Sequence, residues 1–391
     1  MAKNKAGKIR QILLDQWEGY RKEHPELRHV VVENVIKVLT CRTDLLGYHL
    51  YACKCCGEGQ VVPHSCKSRF CSVCGYVATD HWIEERFPRL LNCWYSHVVV
   101  TVPSFFRWMI KQDRRTTLRL MLRCARQTIR EWCKKRGYEP ATISFFHSFG
   151  EKLQFHPHFH ILVTAGGLRP NGEWYYTDGA MPPHILMPIF KAKFIAGMKK
   201  LFEEGTLTTK TKLSRVFYQM NRQHDNHWQF YVARVTKRSA ETMRYCVRYA
   251  KKMIISEKRI LHYDGNIVII KTKTGHITYP VDQFLKLILQ HIPEKQFRLI
   301  SYDGFYANKS EAKYKNAAKY WEPLTKTHGK TSWRERQWAR NKRDPLTCKR
   351  RKTELVLEKV RYGKKWIYFK MEDIYRANGI VKPRQLELNS S

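Results

Sequence analysis

Acidic residues are scarce in this chain of 391 residues: 34 Asp and Glu stand against 72 Lys and Arg, a formal charge of +38. An excess of that size draws a protein onto a polyanion, and nucleic acid is the one that fits a folded chain with 43% hydrophobic residues. A run of roughly 18 apolar residues is also missing, so no membrane span is expected. The opening MAKNKAGKIRQILLDQW carries charges through its only apolar stretch, which does not suit a signal peptide and points to the cytosol. No repeat of fixed period is visible, and a disulfide scaffold does not suit a large basic chain whose thiols stay reduced.

Cysteine is plentiful and unevenly placed. Seven of the 12 cysteines lie between positions 41 and 74, and metal is the default reading of such crowding. Cys53–Cys56 and Cys71–Cys74 are two C-x2-C pairs, and four thiolates from two such knuckles hold a tetrahedral structural Zn²⁺. Cys41, His49, His64 and Cys66 lie near enough to form a second site or replace a ligand, and Cys55 is a spectator candidate. A module of this kind contributes fold stability and a binding surface.

Periodicity predicts an α+β protein. Two short helices are expected in residues 1–40 and another over 80–95. HVVVTVP (97–103) reads as a buried strand stopped by Pro103. A long basic helix is expected over 105–136, then strands ATISFFHSF (141–149) and FHPHFHILVTA (155–165). A Gly-Gly turn and polar hairpin, a helix over 184–203, a strand HWQFYVARV (227–235) and a helix over 239–253 follow. Short strands around 259–280, a helix over 281–291 and a strand FRLISY (297–302) complete the ordered part. From about 306, Lys, Arg and aromatics interleave, which suits a partly ordered arm on a phosphate backbone.

The sharpest local pattern is Phe155-His156-Pro157-His158-Phe159-His160. Alternate residues on a strand share a face, so His158 and His160 can address one metal while Phe159 and Ile161 face a core. His156 has the same parity, but Pro157 limits regular pairing there. Two imidazoles leave positions open for phosphate oxygens and water, the arrangement in which Mg²⁺ or Mn²⁺ serves phosphoryl transfer. A third ligand is needed: Glu151 comes first, with His147 and Gln154 after it.

Residues 242–252 read as a helix on which Tyr245 and Tyr249 lie four apart, about 6 Å along the axis and on one face. Phenols of pKa about 10 attack phosphorus only when activated, and Lys252 is a cation within reach. Packing tyrosines on an amphipathic helix would give the same spacing.

Taken in order, these motifs resemble HUH endonucleases, and more closely the two-tyrosine rolling-circle transposases of the insertion-sequence 91 family. The resemblance covers roughly residues 30–310. It rests on Cys41…His49…Cys53…Cys56…Cys66…Cys71…Cys74, HVVVTVP, His147…Gly150-Glu151…HPHFHILVTAGGL, YCVRYAKKMIIS, ILHYDGNIVIIK and FRLISYDGFY. Three positions depart from it. Glu151 stands where glutamine is expected, and Phe70 where a histidine often precedes the cysteine pair. DPLTCKRRK keeps Cys348 without a partner, which argues against a second, C-terminal zinc site.

The resemblance implies a central antiparallel sheet, the HUH palm, with the histidine strand in its middle and the tyrosine helix beside it. A zinc-binding domain (1–95), a catalytic domain (96–305) and a basic tail (306–391) are the expected parts. It implies that Tyr245 or Tyr249 attacks single-stranded DNA at element ends, with Mg²⁺ or Mn²⁺ as cofactor and Zn²⁺ as structural ion. A replication initiator or relaxase of the same chemistry, and a non-catalytic zinc DNA-binding protein, are the alternatives.

Overall fold

The structure is a computed structural model that describes residues 7–223, 227–236, 239–251, 253–325, 331–363 and 368–380. Lys252 and the side chain of Tyr249 lie outside the described residues.

In chain order the helices are α1 (Lys8–Glu23), α2 (His29–Thr40), α3 (Ser72–Arg86), α4 (Arg107–Gln112), α5 (Arg114–Lys134), α6 (Pro183–Glu203), α7 (Leu213–Asn221), α8 (Ser239–Lys251), α9 (Val281–Leu289), α10 (Glu311–Ala317), α11 (Trp333–Asn341) and α12 (Met371–Ala377). The strands are β1 (Gly47–Ala52), β2 (Gly59–Pro63), β3 (Tyr95–Thr101), β4 (Thr142–Phe149), β5 (Phe155–Thr164), β6 (Gly166–Leu168), β7 (Trp174–Tyr176), β8 (Gln229–Thr236), β9 (Ile260–Tyr263), β10 (Ile267–Lys271), β11 (His276–Pro280), β12 (Ile300–Asp303) and β13 (Val356–Tyr362). The α+β class is as expected.

Two compact units form, and neither is continuous in sequence. One gathers Met1–Ala78, Lys252–Ile292 and His328–Ser391; the other gathers Thr79–Lys251 and Pro293–Thr327. The expected three parts, by contrast, are each continuous in sequence. The segment beyond 306 is not one arm, because β13 pairs antiparallel with β1, from Gly47 opposite Tyr362 to Ala52 opposite Val356.

The second unit is built on an antiparallel sheet of order β12-β4-β5-β3-β8, with β5 in the middle. Strand alternation divides its side chains between two cores. Val98, Val100, Phe146, Phe159 and Ile161 face one core with Met121 and Ala125 of α5 and Phe194 of α6. Ile143, Phe145 and Leu162 face the other, with Met243, Cys246 and Val247 of α8. Each fully buried residue such as Phe145 contributes roughly 1.5–3 kcal/mol of burial. The consequence is positional: α8 covers the sheet face that also carries the odd-numbered residues of β4 and the even-numbered histidines of β5.

Local differences from the expected elements have local causes. The basic helix over 105–136 is two helices, because Asp113 interrupts it and caps α5 by accepting from the Thr116 N–H at 2.9 Å. The helix expected over 80–95 starts at Ser72 and gives way at Phe87-Pro88. Strand pairing in FRLISY begins only at Ile300.

Candidate metal and tyrosine site

β5 carries the site. Its pairing sets Thr101 of β3 opposite His158 and Val99 opposite His160, and on the other side His147 of β4 opposite His158. The ligand atoms of His147, His158 and His160 all lie within 4.8 Å of one another. His147 therefore takes the place expected for Glu151, which is exposed in the turn joining β4 to β5. That turn closes on itself, with the Gly150 N–H donating to the Gln154 carbonyl at 3.1 Å, so Glu151 sits at a hairpin tip. His156 is drawn aside: its Nδ1 meets Arg107 Nη2 at 3.1 Å.

Hydrogen-bond partners assign the imidazole tautomers. His147 Nε2–H donates to the carbonyl of Cys246 on α8 at 3.2 Å, leaving Nδ1 with its lone pair. His158 Nδ1–H donates to the His156 carbonyl at 2.8 Å, leaving Nε2. His160 Nδ1 lies 2.7 Å from His97 Nε2, and when it donates there its Nε2 is the open nitrogen. Burial keeps two of these rings neutral, pushing His158 down to about 4; burial followed by the neighbouring His158 and His97 pushes His160 down to about 2. Three imidazoles, each anchored through one nitrogen and gathered within 4.8 Å, fit a divalent cation.

His97 is the functional residue that the sequence pattern did not single out. It lies on β3 in a run legible only as a buried strand, two residues before Val99, and shares the histidine face. His97, His160 and Cys246 form a second grouping within 4.8 Å.

α8 sets Tyr245 against this cluster. The ring of Tyr245 stands 6.4 Å from that of His160, centroid to centroid, and Tyr245 is 46% exposed, enough for a substrate to reach it. Tyr249 follows one turn on.

Across the sheet, α5 presents Arg115, Arg119, Arg123, Arg126 and Arg130 as a single stripe. With Arg298 they line a groove of about 950 Å³ in which the one acidic residue is Asp303. Arg130 pairs with that aspartate at 2.6 Å. Arg126 is tied to Ser144 and Ser301 at 3.2 and 3.0 Å, and burial lowers it to about 10, still charged near neutrality.

The cysteines sort differently from the expected pairing. Cys41, Cys66, Cys71 and Cys74 form one cluster. Cys41 caps α2, whose last carbonyls are held by Arg10, at 2.8 Å to Leu39 and 3.0 Å to Cys41. The Cys66 N–H points at the Cys41 sulfur at 3.4 Å. Sulfur separations are 3.6 Å for Cys41–Cys74, 3.6 Å for Cys66–Cys74 and 3.8 Å for Cys71–Cys41. A tetrahedron with Zn–S bonds of ~2.3 Å has edges of ~3.8 Å, so the four thiols fit zinc. Cys53 and Cys56 do not join Cys71 and Cys74, because the β1–β2 hairpin directs them elsewhere, toward Cys348. His49 belongs to neither cluster among the described residues; its Nδ1 meets His64 Nε2 at 3.1 Å. Cys55 is exposed.

Comparison with known proteins agrees with this arrangement. A family described as "Putative transposase" matches residues 142–313, and one described as "Transposase zinc-binding domain" matches residues 12–102. The "Transposase for insertion sequence element IS801" of Pseudomonas savastanoi pv. phaseolicola is 31% identical over 310 residues, which cover 75% of this chain and 74% of that protein. The "Putative transposase y4qJ" of Sinorhizobium fredii (strain NBRC 101917 / NGR234) is 27% identical over 317 residues, covering 75% and 78%. No solved structure matches. These matches, over the zinc-binding domain and the sheet unit that follows it, define the class as a transposase, an enzyme that acts on DNA. The chain belongs to the insertion-sequence 91 family of transposases. Among the described residues no helix is long and apolar enough to cross a membrane.

Proposed function

We propose that this transposase cuts and rejoins single-stranded DNA at the ends of its element, with Tyr245 as a nucleophile and His147, His158 and His160 as ligands of a divalent cation. The observation that carries the reading is the Tyr245 ring set 6.4 Å from His160, on the sheet face shared by all three histidines. Tyr245 Oη attacks a phosphodiester phosphorus. The bond to the 3′ oxygen breaks, that oxygen leaves as a 3′ hydroxyl with the proton the phenol gives up, and the 5′ phosphate stays on the tyrosine. The ester replaces an ester, so the bond energy is kept for rejoining and no nucleotide is hydrolysed. Tyr249, one turn along the helix, takes the second cut, and Lys252, three residues further in sequence, supplies a cation. Together these steps make a rolling-circle-like transposition.

A bound Mn²⁺ or Mg²⁺ supplies polarisation of the phosphate and charge stabilisation at the leaving oxygen. Three nitrogen donors favour Mn²⁺ over the oxygen-seeking Mg²⁺. Zinc at Cys41, Cys66, Cys71 and Cys74 fixes the N-terminal fold. The arginine groove of α5 holds phosphate backbone away from the cut, on element-end or target DNA. Such a substrate puts the protein with the chromosome, in the cytoplasm at the nucleoid.

The test is labelled single-stranded element-end DNA incubated with the protein and Mn²⁺ on a denaturing gel. A slow band that carries the strand 3′ of one cut, joined through its 5′ phosphate and absent from His158→Ala, is expected. Cutting by the His158→Ala protein at the wild-type rate would overturn the metal assignment.

A further inference from the structure

The strongest unassigned cluster lies where β1 ends. Cys53, Cys56 and Cys348 offer sulfur atoms within 4.8 Å of one another. Cys56 and Cys348 are 292 residues apart in sequence, yet their sulfurs are 3.6 Å apart. That is far beyond the ~2.05 Å of a disulfide and close to the ~3.8 Å edge of a tetrahedral zinc–thiolate site.

The two segments that meet there have the same backbone. In the first, the Gly57 N–H donates to the Cys53 carbonyl at 2.9 Å and the Cys53 N–H donates to the Glu58 carbonyl at 2.9 Å. In the second, the Lys352 N–H donates to the Cys348 carbonyl at 3.0 Å and the Cys348 N–H donates to the Thr353 carbonyl at 2.9 Å. Both turns close on a left-handed residue, Gly57 at φ +68° and Lys352 at φ +57°. Lysine has no intrinsic preference for that region, so the second turn is held by its surroundings. These are two matched metal knuckles, and position by position Arg351 stands in the second where Cys56 stands in the first. A fourth sulfur is therefore missing, and a carboxylate is at hand. Glu58 Oε2 lies 3.0 Å from the Cys348 sulfur and accepts from the Arg350 N–H at 3.3 Å, inside the second knuckle.

We propose a second zinc site made by Cys53, Cys56, Cys348 and the Glu58 carboxylate, distinct from the four-cysteine site and closed by a residue from the far end of the chain. An S–O edge of such a site is ~3.5 Å for bonds of ~2.3 and ~2.0 Å; Glu58 already meets Cys348 and binds by turning its carboxylate toward the other two sulfurs, whose 4.8 Å grouping it lies outside. The site clips the segment before β13 onto β1, in the same unit as the pairing of those strands. A metal clip acts most strongly on long loops, because it removes loop-closure entropy from the unfolded chain. A mixed sulfur–oxygen set is also the more exchangeable of the two zinc sites, since it has one fewer thiolate.

The experiment is zinc stoichiometry of the full-length purified protein, with Co²⁺ replacement as a spectroscopic probe. Two zinc ions per chain are expected, falling to one in Cys348→Ser and, independently, to one in Cys74→Ser. Glu58→Ala should keep two zinc ions but weaken the second at least 10-fold in chelator competition, and should shift its Co²⁺ visible bands. Arg351→Cys should tighten that site and move the Co²⁺ spectrum to that of four thiolates. One zinc per wild-type chain, unchanged by Cys348→Ser, would overturn the proposal even if a Cys348 variant folded poorly, because the wild-type count stands alone. An unaltered affinity and Co²⁺ spectrum in Glu58→Ala would overturn the assignment of the fourth ligand.

Discussion

Replacing His97 with phenylalanine separates positioning from coordination at the histidine centre. His97 Nε2 stands 2.7 Å from His160 Nδ1 and 3.9 Å from the Cys246 sulfur. Burial lowers its pKa, so the ring is neutral and can accept the His160 proton. Phenylalanine fills the space and removes the acceptor. The His160 N–H is then buried without a partner, at a cost of about 1–3 kcal/mol. Loss of an outer partner of a metal-bound histidine weakens metal binding about 10- to 100-fold, or about 1.4–2.7 kcal/mol, and the two ranges overlap. The assay is Mn²⁺ binding followed by electron paramagnetic resonance, beside the Mn²⁺ concentration for half-maximal cutting. The Mn²⁺ dissociation constant and that half-maximal concentration should rise together by that factor, while cutting at saturating Mn²⁺ returns to near the wild-type rate. His97→Gln keeps an acceptor and should recover most of the affinity. Unchanged Mn²⁺ affinity in His97→Phe, or equal losses in the two variants, would refute the reasoning.

Other outcomes follow from the same geometry. Glu151→Ala should bind Mn²⁺ like the wild type whereas His147→Ala should lose most binding, a contrast that direct titration reads. Arg119→Ala with Arg123→Ala should weaken single-stranded DNA binding and reduce the slope of log affinity against log salt by about 1.4, two phosphate contacts at about 0.7 each. Asp113→Ala should lower stability by about 1 kcal/mol in urea denaturation through loss of the α5 cap, with no change in Mn²⁺ affinity. Chelation of zinc should unfold the N-terminal unit first, read as early loss of protection in hydrogen exchange over residues 29–75.

The parts of the site that follow a local period were legible in the sequence. Alternation on β5 is a property of any strand, so placing His158 and His160 on one face and Phe159 and Ile161 on the other needed no tertiary knowledge. The amphipathic pattern over 239–253 likewise gave the helix α8, and Tyr245 on it stands near His160. What depends on strand pairing was not legible. Glu151 is nearer to His158 in sequence than His147 is, but the hairpin exposes Glu151 and the register sets His147 opposite His158. The cysteine partition failed for the same reason: C-x2-C spacing defines a knuckle but not its mate. The mate of Cys53–Cys56 arrives from position 348 because β13 pairs with β1. The expected tail likewise hid β13, whose residues are exposed at nearly every position and so carry no period-2 burial pattern.

The central claim is that Tyr245 forms a covalent phosphotyrosine beside the histidine-bound cation. Mass spectrometry of the adduct trapped on single-stranded element-end DNA with Mn²⁺ tests it most directly. The account predicts a 5′-phosphonucleotide on the α8 peptide, mapped to Tyr245 or Tyr249, with the Tyr245 adduct lost in Tyr245→Phe and all adduct lost in the double phenylalanine variant. An adduct on any other residue, or cutting that persists in the double variant, would contradict it.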